Sequence, residues 1–249
     1  YFFKARSVAV IGASSKPGKI GYEIFRSLSQ YNFKGKVYPV NPKASSILNI
    51  KCYPSILDIP NEIDLAVIAL PSKIIPKTIE ECSRKRVKAC IIVSGGFKEL
   101  GEDYKKIEEE TVAIAKKYGI RIIGPNCIGI FDSETKIDTF FQSRERMLRP
   151  SPGPVSFITQ SGTFGCTMLE WAAESGLGIS KFVSYGNRCD IDEADLIRYL
   201  GKDKNTKVIA VYVEGFGDGR KFLEAAKEVV PPTAPVIVAV PLSAFTVNA

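Results

Sequence analysis

The stretch VAVIGASSKPGKIG, residues 8–21, decides the fold of this chain. Its first four residues are small and apolar, which predicts a buried strand, and the rest predicts a tight turn into a helix. Three glycines keep side chains away from the turn, so the first N–H groups of the helix can bind an anion. The side chains that add hydroxyl groups or positive charge are Ser14, Ser15, Lys16 and Lys19. The pattern indicates a phosphate-binding turn, although a turn that binds no ligand is the alternative.

The end of the second predicted strand, residues 36–40, narrows the choice of ligand. In folds that bind NAD, an Asp or Glu about 20 residues after the glycines binds the ribose hydroxyls. Here the strand is followed by Asn41, Pro42 and Lys43, with no carboxylate. A lysine near the adenosine ribose favours a ligand with a phosphate on that ribose, namely coenzyme A or NADP. An exposed loop lysine without a ligand is the alternative for Lys43.

Strand and helix patterns alternate along the chain, which is typical of a parallel sheet flanked by helices. Apolar runs at 65–70, 89–93 and 121–123 predict strands that are buried on both faces. Ligands of such sheets bind outside the carboxyl ends of the strands, where this chain places small polar residues. These residues either belong to ordinary loops or form the floor of a cofactor groove. The residues predicted to bind the cofactor are Gly12, Ser14, Ser15, Lys19, Gly21, Lys43, Pro71, Ser94, Gly95 and Asn126.

Residues 142–154 contain three prolines and three arginines without periodicity, which predicts an interdomain linker. We therefore expect two α/β domains, over residues 1–145 and 152–249. In the second domain a strand at 155–159 leads through Gln160, Ser161, Gly162 and Thr163 into a helix. This turn can hold a phosphoryl group at the helix N-terminus, or it is only a Ser/Thr helix cap.

Seven segments occur in the order that is found in the NDP-forming acyl-CoA synthetases. These are the ADP-forming acetate–CoA ligases, which are related to the succinyl-CoA synthetase α subunit, and the resemblance extends to about residue 238. It implies a Rossmann-like CoA-binding domain followed by a flavodoxin-like, succinyl-CoA-ligase-type domain. The segments that carry the resemblance are 8–21, 35–43, 93–97, 124–129, 159–163, 184–187 and 213–215.

The resemblance also implies an activity and its site. The family joins an acid to CoA with ATP, giving acyl-CoA, ADP and phosphate through an acyl phosphate and a phosphohistidine. The resemblance implies that the phosphoryl group is bound by Gln160, Ser161, Gly162 and Thr163. It also implies that Glu214 contacts the histidine. Asn187 is expected to line the acyl or phosphoryl pocket. The implied partners are a small carboxylic acid, an ATP-grasp β subunit or fused domain that holds ATP or ADP with Mg, and further copies in a homo- or hetero-oligomer.

Histidine is absent from the sequence, whereas the resemblance places a phospho-accepting His beyond the strand at 236–240. We expect the second domain to be truncated at its C-terminal side, so that this chain alone is an incomplete acid–CoA ligase. A divergent homologue that has lost the histidine is the alternative.

Composition argues against several other classes of protein. The net charge of +7 is scattered, without a compact basic stripe, so no nucleic-acid partner is expected. No apolar run approaches the roughly 20 residues that cross a membrane. The six cysteines form no C-x-x-C pair, which fits a reducing cytoplasm and predicts no metal site. Cys127 is expected to pack or line a pocket, because no histidine can act as its base.

Two other functions stay open at this stage. A non-catalytic CoA-binding or CoA-sensing protein would use the same groove. An NADP-dependent oxidoreductase would need an acid or base at the site of hydride transfer, and the sequence offers no identifiable candidate.

Overall fold

A computed structural model of the chain describes residues 1–229 and 235–240. The elements of its first half begin with the strand of the opening stretch. In chain order they are β1 (Ser7–Ile11), α1 (Ile20–Gln30), β2 (Lys36–Val40), β3 (Ser46–Ile47), β4 (Ile50–Lys51), β5 (Leu65–Ile68), α2 (Ile75–Arg84), β6 (Ala89–Ile92), α3 (Glu102–Tyr118) and β7 (Arg121–Ile123).

The second half repeats the alternation of strands and helices. Its elements are β8 (Gly129–Asp132), β9 (Pro152–Thr159), α4 (Gly162–Ser175), β10 (Ile179–Ser184), α5 (Glu193–Leu200), β11 (Val208–Tyr212), α6 (Gly219–Val229) and β12 (Val236–Ala239). The last part of the predicted second domain, residues 241–249, lies outside the described residues.

The first sheet has the strand order β2-β1-β5-β6-β7, and every pair in it is parallel. All four residues of β5 and of β6 are buried, as continuous apolar runs between two layers of helices require. Strands β3 and β4 form a separate small antiparallel pair. The predicted Rossmann-like domain is confirmed.

The second sheet has the order β12-β11-β9-β10-β8. Strands β9 to β12 are parallel to one another, which confirms the predicted flavodoxin-like arrangement, whereas the edge strand β8 pairs antiparallel with β10. The chain thus passes from the first sheet to the second between β7 and β8. Strand β8 lies within the residues predicted for the first domain, 1–145, and pairs with the second sheet.

The opening turn is shaped by two glycines that touch neighbouring backbone. A Cβ on Gly21 would overlap the carbonyl oxygen of Gly12, so only glycine lets α1 begin directly against the turn. Gly12 itself has a φ of +88°, and a Cβ there would overlap the carbonyl oxygen of Ala69. The start of α1 is therefore packed against the turn after β1, and that turn is packed against the backbone that follows β5.

The segment predicted as a linker is anchored by a buried ion pair. Arg149 Nε lies 2.9 Å from Asp138 Oδ2, and their side chains are 4% and 0% exposed. Arg144 binds the same oxygen at 3.1 Å, and the Arg149 guanidinium lies 4.9 Å from the centre of the Phe140 ring. The segment is thus fixed against the second domain, and β9 already begins at Pro152.

Across residues 1–229 and 235–240, no helix combines the length and apolar character that crossing a bilayer requires.

Replacing Asp138 should reveal how much the anchored segment contributes to stability. We expect Asp138→Asn to lower the free energy of unfolding by about 3 kcal/mol, because two arginines lose the carboxylate that compensates their charge. Urea unfolding measures this change. The control is Lys106→Ala, which removes an ion pair with 74% and 92% exposed side chains and should leave stability unchanged. Equal changes in the free energy of unfolding for the two variants would contradict a stabilising role of the buried ion pair.

Candidate functional site

Two clefts open at the carboxyl ends of the strands. The first groove, of about 530 Å³, lies between the turn after β1, the end of β2 and the loop after β5. The interdomain cavity, of about 770 Å³, is lined by the loops after β6 and β7 of the first sheet and after β9, β10 and β11 of the second. Both clefts lie where parallel sheets bind ligands.

The predicted cofactor residues divide between these clefts. Gly12, Ser14, Lys19 and Gly21 line the first groove. Asn126 lines the interdomain cavity and donates its backbone N–H to Ser94 O at 2.9 Å. A Cβ on Gly95 would lie 3.1 Å from Asn126 Oδ1, so Ser94 and Gly95 lie beside the interdomain cavity without lining it. The three remaining predicted residues are exposed near the strand ends without lining either cleft: Ser15, Lys43 and Pro71.

The N-terminus of α1 faces the first groove without a side-chain cap. Its N-cap residue is Lys19, whose side chain accepts no hydrogen bond from the helix. Ser14 Oγ accepts the N–H of Lys16 at 3.0 Å, and Glu23 Oε1 accepts the N–H of Gly18 at 3.0 Å. These two bonds hold the turn in shape while leaving the start of the helix available to an anion.

Asn41 organises the opposite side of the first groove, and sequence reasoning gave it no role. Its Nδ2 donates to Ala13 O at 2.7 Å, and its Oδ1 accepts the N–H of Lys43 at 2.8 Å. One side chain thus joins the end of β2 to the turn after β1 and sets the backbone of Lys43. The available signal was its position directly after a strand.

The N-terminus of α4 faces the interdomain cavity. Ser161 is the N-cap residue, and its Oγ accepts the N–H of Phe164 at 3.3 Å. All four residues predicted to bind phosphate line this cavity: Gln160, Ser161, Gly162 and Thr163. The serine hydroxyl satisfies one helical N–H, and the first N–H groups of α4 still lie at the positive end of the helix dipole.

Glu214 lines the same cavity and is connected to the α4 turn. Its backbone N–H donates to Gln160 Oε1 at 3.0 Å, and its side chain is exposed. The side-chain carbonyl of Gln160 is therefore hydrogen-bonded to the loop after β11, which leaves the side-chain amide hydrogens of Gln160 for a ligand. The structure thus places Glu214 beside the predicted phosphate-binding turn.

Asn187 links the two halves of the molecule. Its Nδ2 donates to Glu99 Oε2 at 2.6 Å and to Glu108 Oε2 at 3.0 Å, both in the first half. Lys98 Nζ donates to the Asn187 carbonyl at 2.7 Å and lies 3.0 Å from Glu108 Oε1. The amide hydrogens of Asn187 are thus held by carboxylates at the edge of the cavity.

Sequence reasoning missed the cations of the interdomain cavity, which are Lys98, Arg146 and Arg188. Each lies in a loop or short turn without periodicity, so only the packing of the two halves brings them together. Cys127 also lines the cavity, but burial raises the pKa of its thiol to about 12 and its Sγ lies 3.4 Å from Ile92 O. It is therefore a packed thiol, as its predicted role requires.

Comparison with known proteins gives two family matches. Residues 6–132 match a CoA binding domain, and residues 152–242 match a succinyl-CoA ligase like flavodoxin domain. The acetate–CoA ligase [ADP-forming] I subunit alpha of Pyrococcus furiosus is 47% identical over 91% of this chain and 49% of its own length. The 4-hydroxybutyrate–CoA ligase [ADP-forming] of Nitrosopumilus maritimus is 38% identical over 90% of this chain and 32% of its own.

Two solved structures are similar as well. The dinucleotide forming acetyl-coenzyme A synthetase 1 of Ca. Korarchaeum cryptofilum, solved with phosphate and ADP, gives a TM-score of 0.88 at 40% identity over 94% of this chain and 50% of that one. A protein from Pyrococcus horikoshii OT3 gives a TM-score of 0.92 at 44% identity over 98% of this chain and 54% of that one. The chain thus spans about half the length of these relatives, or less.

The Glu99 carboxylate, which binds Asn187 between the two halves of the molecule, should make the free energy of unfolding depend on pH. Partial burial opposes its ionisation, but hydrogen bonds from the Asn187 amide and the N–H groups of Gly96 and Phe97 lower its pKa below the usual 4.5. A carboxyl group with a lowered pKa stabilises the folded state above its unfolded pKa, and this contribution is lost as pH falls through the folded value.

We therefore expect Glu99→Gln to destabilise the protein at pH 7, with the difference from wild type closing below about pH 4.5. Urea unfolding across this pH range measures the difference. Glu109→Gln, at an exposed position of α3, is the matched control and should show no such dependence. A difference that persists unchanged in acid would mean that the charge of Glu99 contributes nothing.

Proposed function

Because this chain belongs to the ADP-forming acyl-CoA synthetase family, we propose that it is the CoA-binding and phosphoryl-handling part of an acid–CoA ligase. The observation that carries the proposal is the pair of clefts, each facing the N-terminus of a helix at the carboxyl end of a central strand. One suits a pyrophosphate and the other a phosphoryl group. A ligase of this kind needs both.

Coenzyme A fits the first groove on chemical grounds. The cradle formed by Gly12 and Gly21 has no room for a Cβ, and α1 starts without a side-chain cap. Lys43 follows the strand nearest the expected adenosine ribose and supplies a cation for its phosphate. From β2 to β7 the sheet edge spans four strand spacings, roughly 19 Å. An extended thiol arm can cross that distance from the first groove to the interdomain cavity.

The interdomain cavity then supplies the groups that the acyl transfer requires. CoA contributes a thiol whose sulfur forms a bond to the acyl carbon, while the carbon–oxygen bond to phosphate breaks and its electron pair leaves with phosphate. The thiol proton is transferred to the departing phosphate, so that the products are the thioester and hydrogen phosphate. The N-terminus of α4 stabilises that leaving phosphate, together with the hydroxyls of Ser161 and Thr163. Glu214 orients the phosphoryl acceptor, and the Asn187 side chain sets the edge of the pocket.

The remaining parts of the reaction are assigned to partners. A relative is named as an alpha subunit, which supports a second subunit in the complete enzyme. We place ATP, ADP and Mg on an ATP-grasp subunit or fused domain and assign the substrate to the small carboxylic acids. The enzyme is expected to be oligomeric and cytoplasmic.

Ligand titration tests the assignment of the first groove. We expect CoA to bind and NADPH not to bind in isothermal titration calorimetry. Lys43→Ala should weaken CoA binding about tenfold, or about 1.4 kcal/mol, since a charge-assisted contact to the ribose phosphate is lost. Its affinity for dephospho-CoA should stay unchanged, because that ligand lacks the phosphate. The control is Lys36→Ala, at an exposed lysine that begins β2, the strand before Lys43. Tight NADPH binding would favour the oxidoreductase alternative.

The catalytic part of the proposal is tested by thioester formation from an acyl phosphate and CoA, measured with the complete enzyme. Ser161→Ala should slow this step roughly tenfold, because a hydrogen bond to a charged phosphate is lost. The control is Ser175→Ala at the opposite end of α4, which should react like wild type. CoA binding without thioester formation in the wild type would instead indicate a non-catalytic CoA-binding protein.

A further inference from the structure

The loop after β10, residues 185–189, carries a side chain that the proposed chemistry has not used. We propose that Arg188 is a positioning residue: it holds the loop that follows Glu214 so that the Glu214 carboxylate faces the α4 turn. The inference rests on the proposed function, because Glu214 has a role only if the interdomain cavity handles a phosphoryl group. Its evidence is a set of contacts around the Arg188 guanidinium.

The guanidinium grips the loop that follows Glu214. Arg188 Nη1 donates a hydrogen bond to the carbonyl oxygen of Gly215, the next residue in the chain. A Cβ on Gly217 would lie 3.4 Å from both Cζ and Nε of Arg188, so the guanidinium also lies against this glycine. Two points of a glycine-rich loop are thus in contact with one planar side chain.

The same nitrogen of the guanidinium also faces a buried carboxylate. Arg188 Nη1 lies 3.6 Å from Glu193 Oε1 in the first turn of α5, and the Glu193 side chain is only 3% exposed. Tyr185 is buried beside the same carboxylate, and burial together with the Glu193 charge raises the pKa of its hydroxyl. A buried carboxylate of this kind fixes its cation firmly, because separating the pair would leave an uncompensated charge.

The backbone of the loop is fixed as well. Arg188 has a φ of +47°, a left-handed conformation that non-glycine residues adopt only when their surroundings hold them there. The N–H groups of Asn187 and Cys189 donate to Pro125 O at 2.9 Å and Gly124 O at 3.1 Å. The base of the Arg188 side chain is therefore fixed to the loop after β7, which belongs to the CoA-binding half.

Together these contacts hold Glu214 from two sides. Its own N–H is bound by Gln160 Oε1 at 3.0 Å, and the next carbonyl is bound by Arg188. Arginine suits this task because Nη1 carries two N–H groups on a rigid plane, so that one nitrogen faces both the Gly215 carbonyl and the Glu193 carboxylate, whereas lysine offers a mobile point charge. The backbone that carries the Glu214 side chain is thus held by the α4 turn on one side and by Arg188 on the other.

The first experiment tests positioning independently of activity. Hydrogen–deuterium exchange of the complete enzyme is compared between wild type, Arg188→Met and the control Arg198→Met, whose arginine forms an ion pair with Glu228 elsewhere in the same domain. We expect faster exchange over residues 214–219 in Arg188→Met alone, and unchanged exchange over α4. Unaltered exchange at 214–219 would overturn the proposal even if the enzyme proves inactive in every assay.

The second experiment tests whether Arg188 acts through Glu214. In the ligase reaction Arg188→Met should lower kcat about tenfold with less than a twofold change in the KM for CoA, and Arg188→Lys should lie between. In a Glu214→Gln background, single-turnover rates should change less than twofold on adding Arg188→Met. A full additional tenfold loss would show that Arg188 acts independently and would refute the proposal. A wild type without ligase activity would overturn the proposed function, and hydrogen exchange would still decide the positioning role.

Discussion

The close approach of a helix to the end of a strand is the constraint on which both clefts depend. At Gly21 a side chain would strike the backbone of the turn after β1, and at Gly165 a Cβ would lie 2.8 Å from Thr159 Cγ2 and from the Phe182 ring. In both domains the helix thus begins against the sheet, and its first N–H groups face the space beyond the strand ends. This packing fixes the positive end of each helix at the rim of a cleft, which is the arrangement that favours a bound anion.

Local patterns carried most of the fold. The opening stretch and the apolar runs that became β5 and β6 need only near neighbours in sequence to be recognised. The pairing of β8 with β10 depends on contacts between residues about 50 positions apart, and no local signal marks it. Arg149 was grouped with linker residues because an isolated arginine usually lies at the surface, whereas its buried partner Asp138 becomes apparent only after folding.

The sequence also predicted part of the candidate site. Strand-end reasoning located the turns that carry Ser14 and Ser161, because parallel strands bring their carboxyl ends to one edge. The same reasoning predicted one cofactor groove where the structure has two clefts. The separation between the clefts depends on how the second domain packs over β6 and β7, which no local pattern shows. The cavity cations were missed for the same reason. Lys98 reaches Asn187 only because α3 and the loop after β10 meet across the domain junction.

The junction between the two domains includes hydrogen bonds to the backbone of β7. Asp190 Oδ2 accepts the N–H of Ile122 at 2.7 Å, and Ile191 donates to the Ile122 carbonyl at 3.1 Å, so the second domain covers the edge strand β7. An uncovered edge would leave backbone groups unpaired. The same contact fixes the loop of Asn187 and Arg188 above the carboxyl end of the first sheet. The contact that covers β7 therefore also places the loops after β7 and β10 side by side, where both line the interdomain cavity.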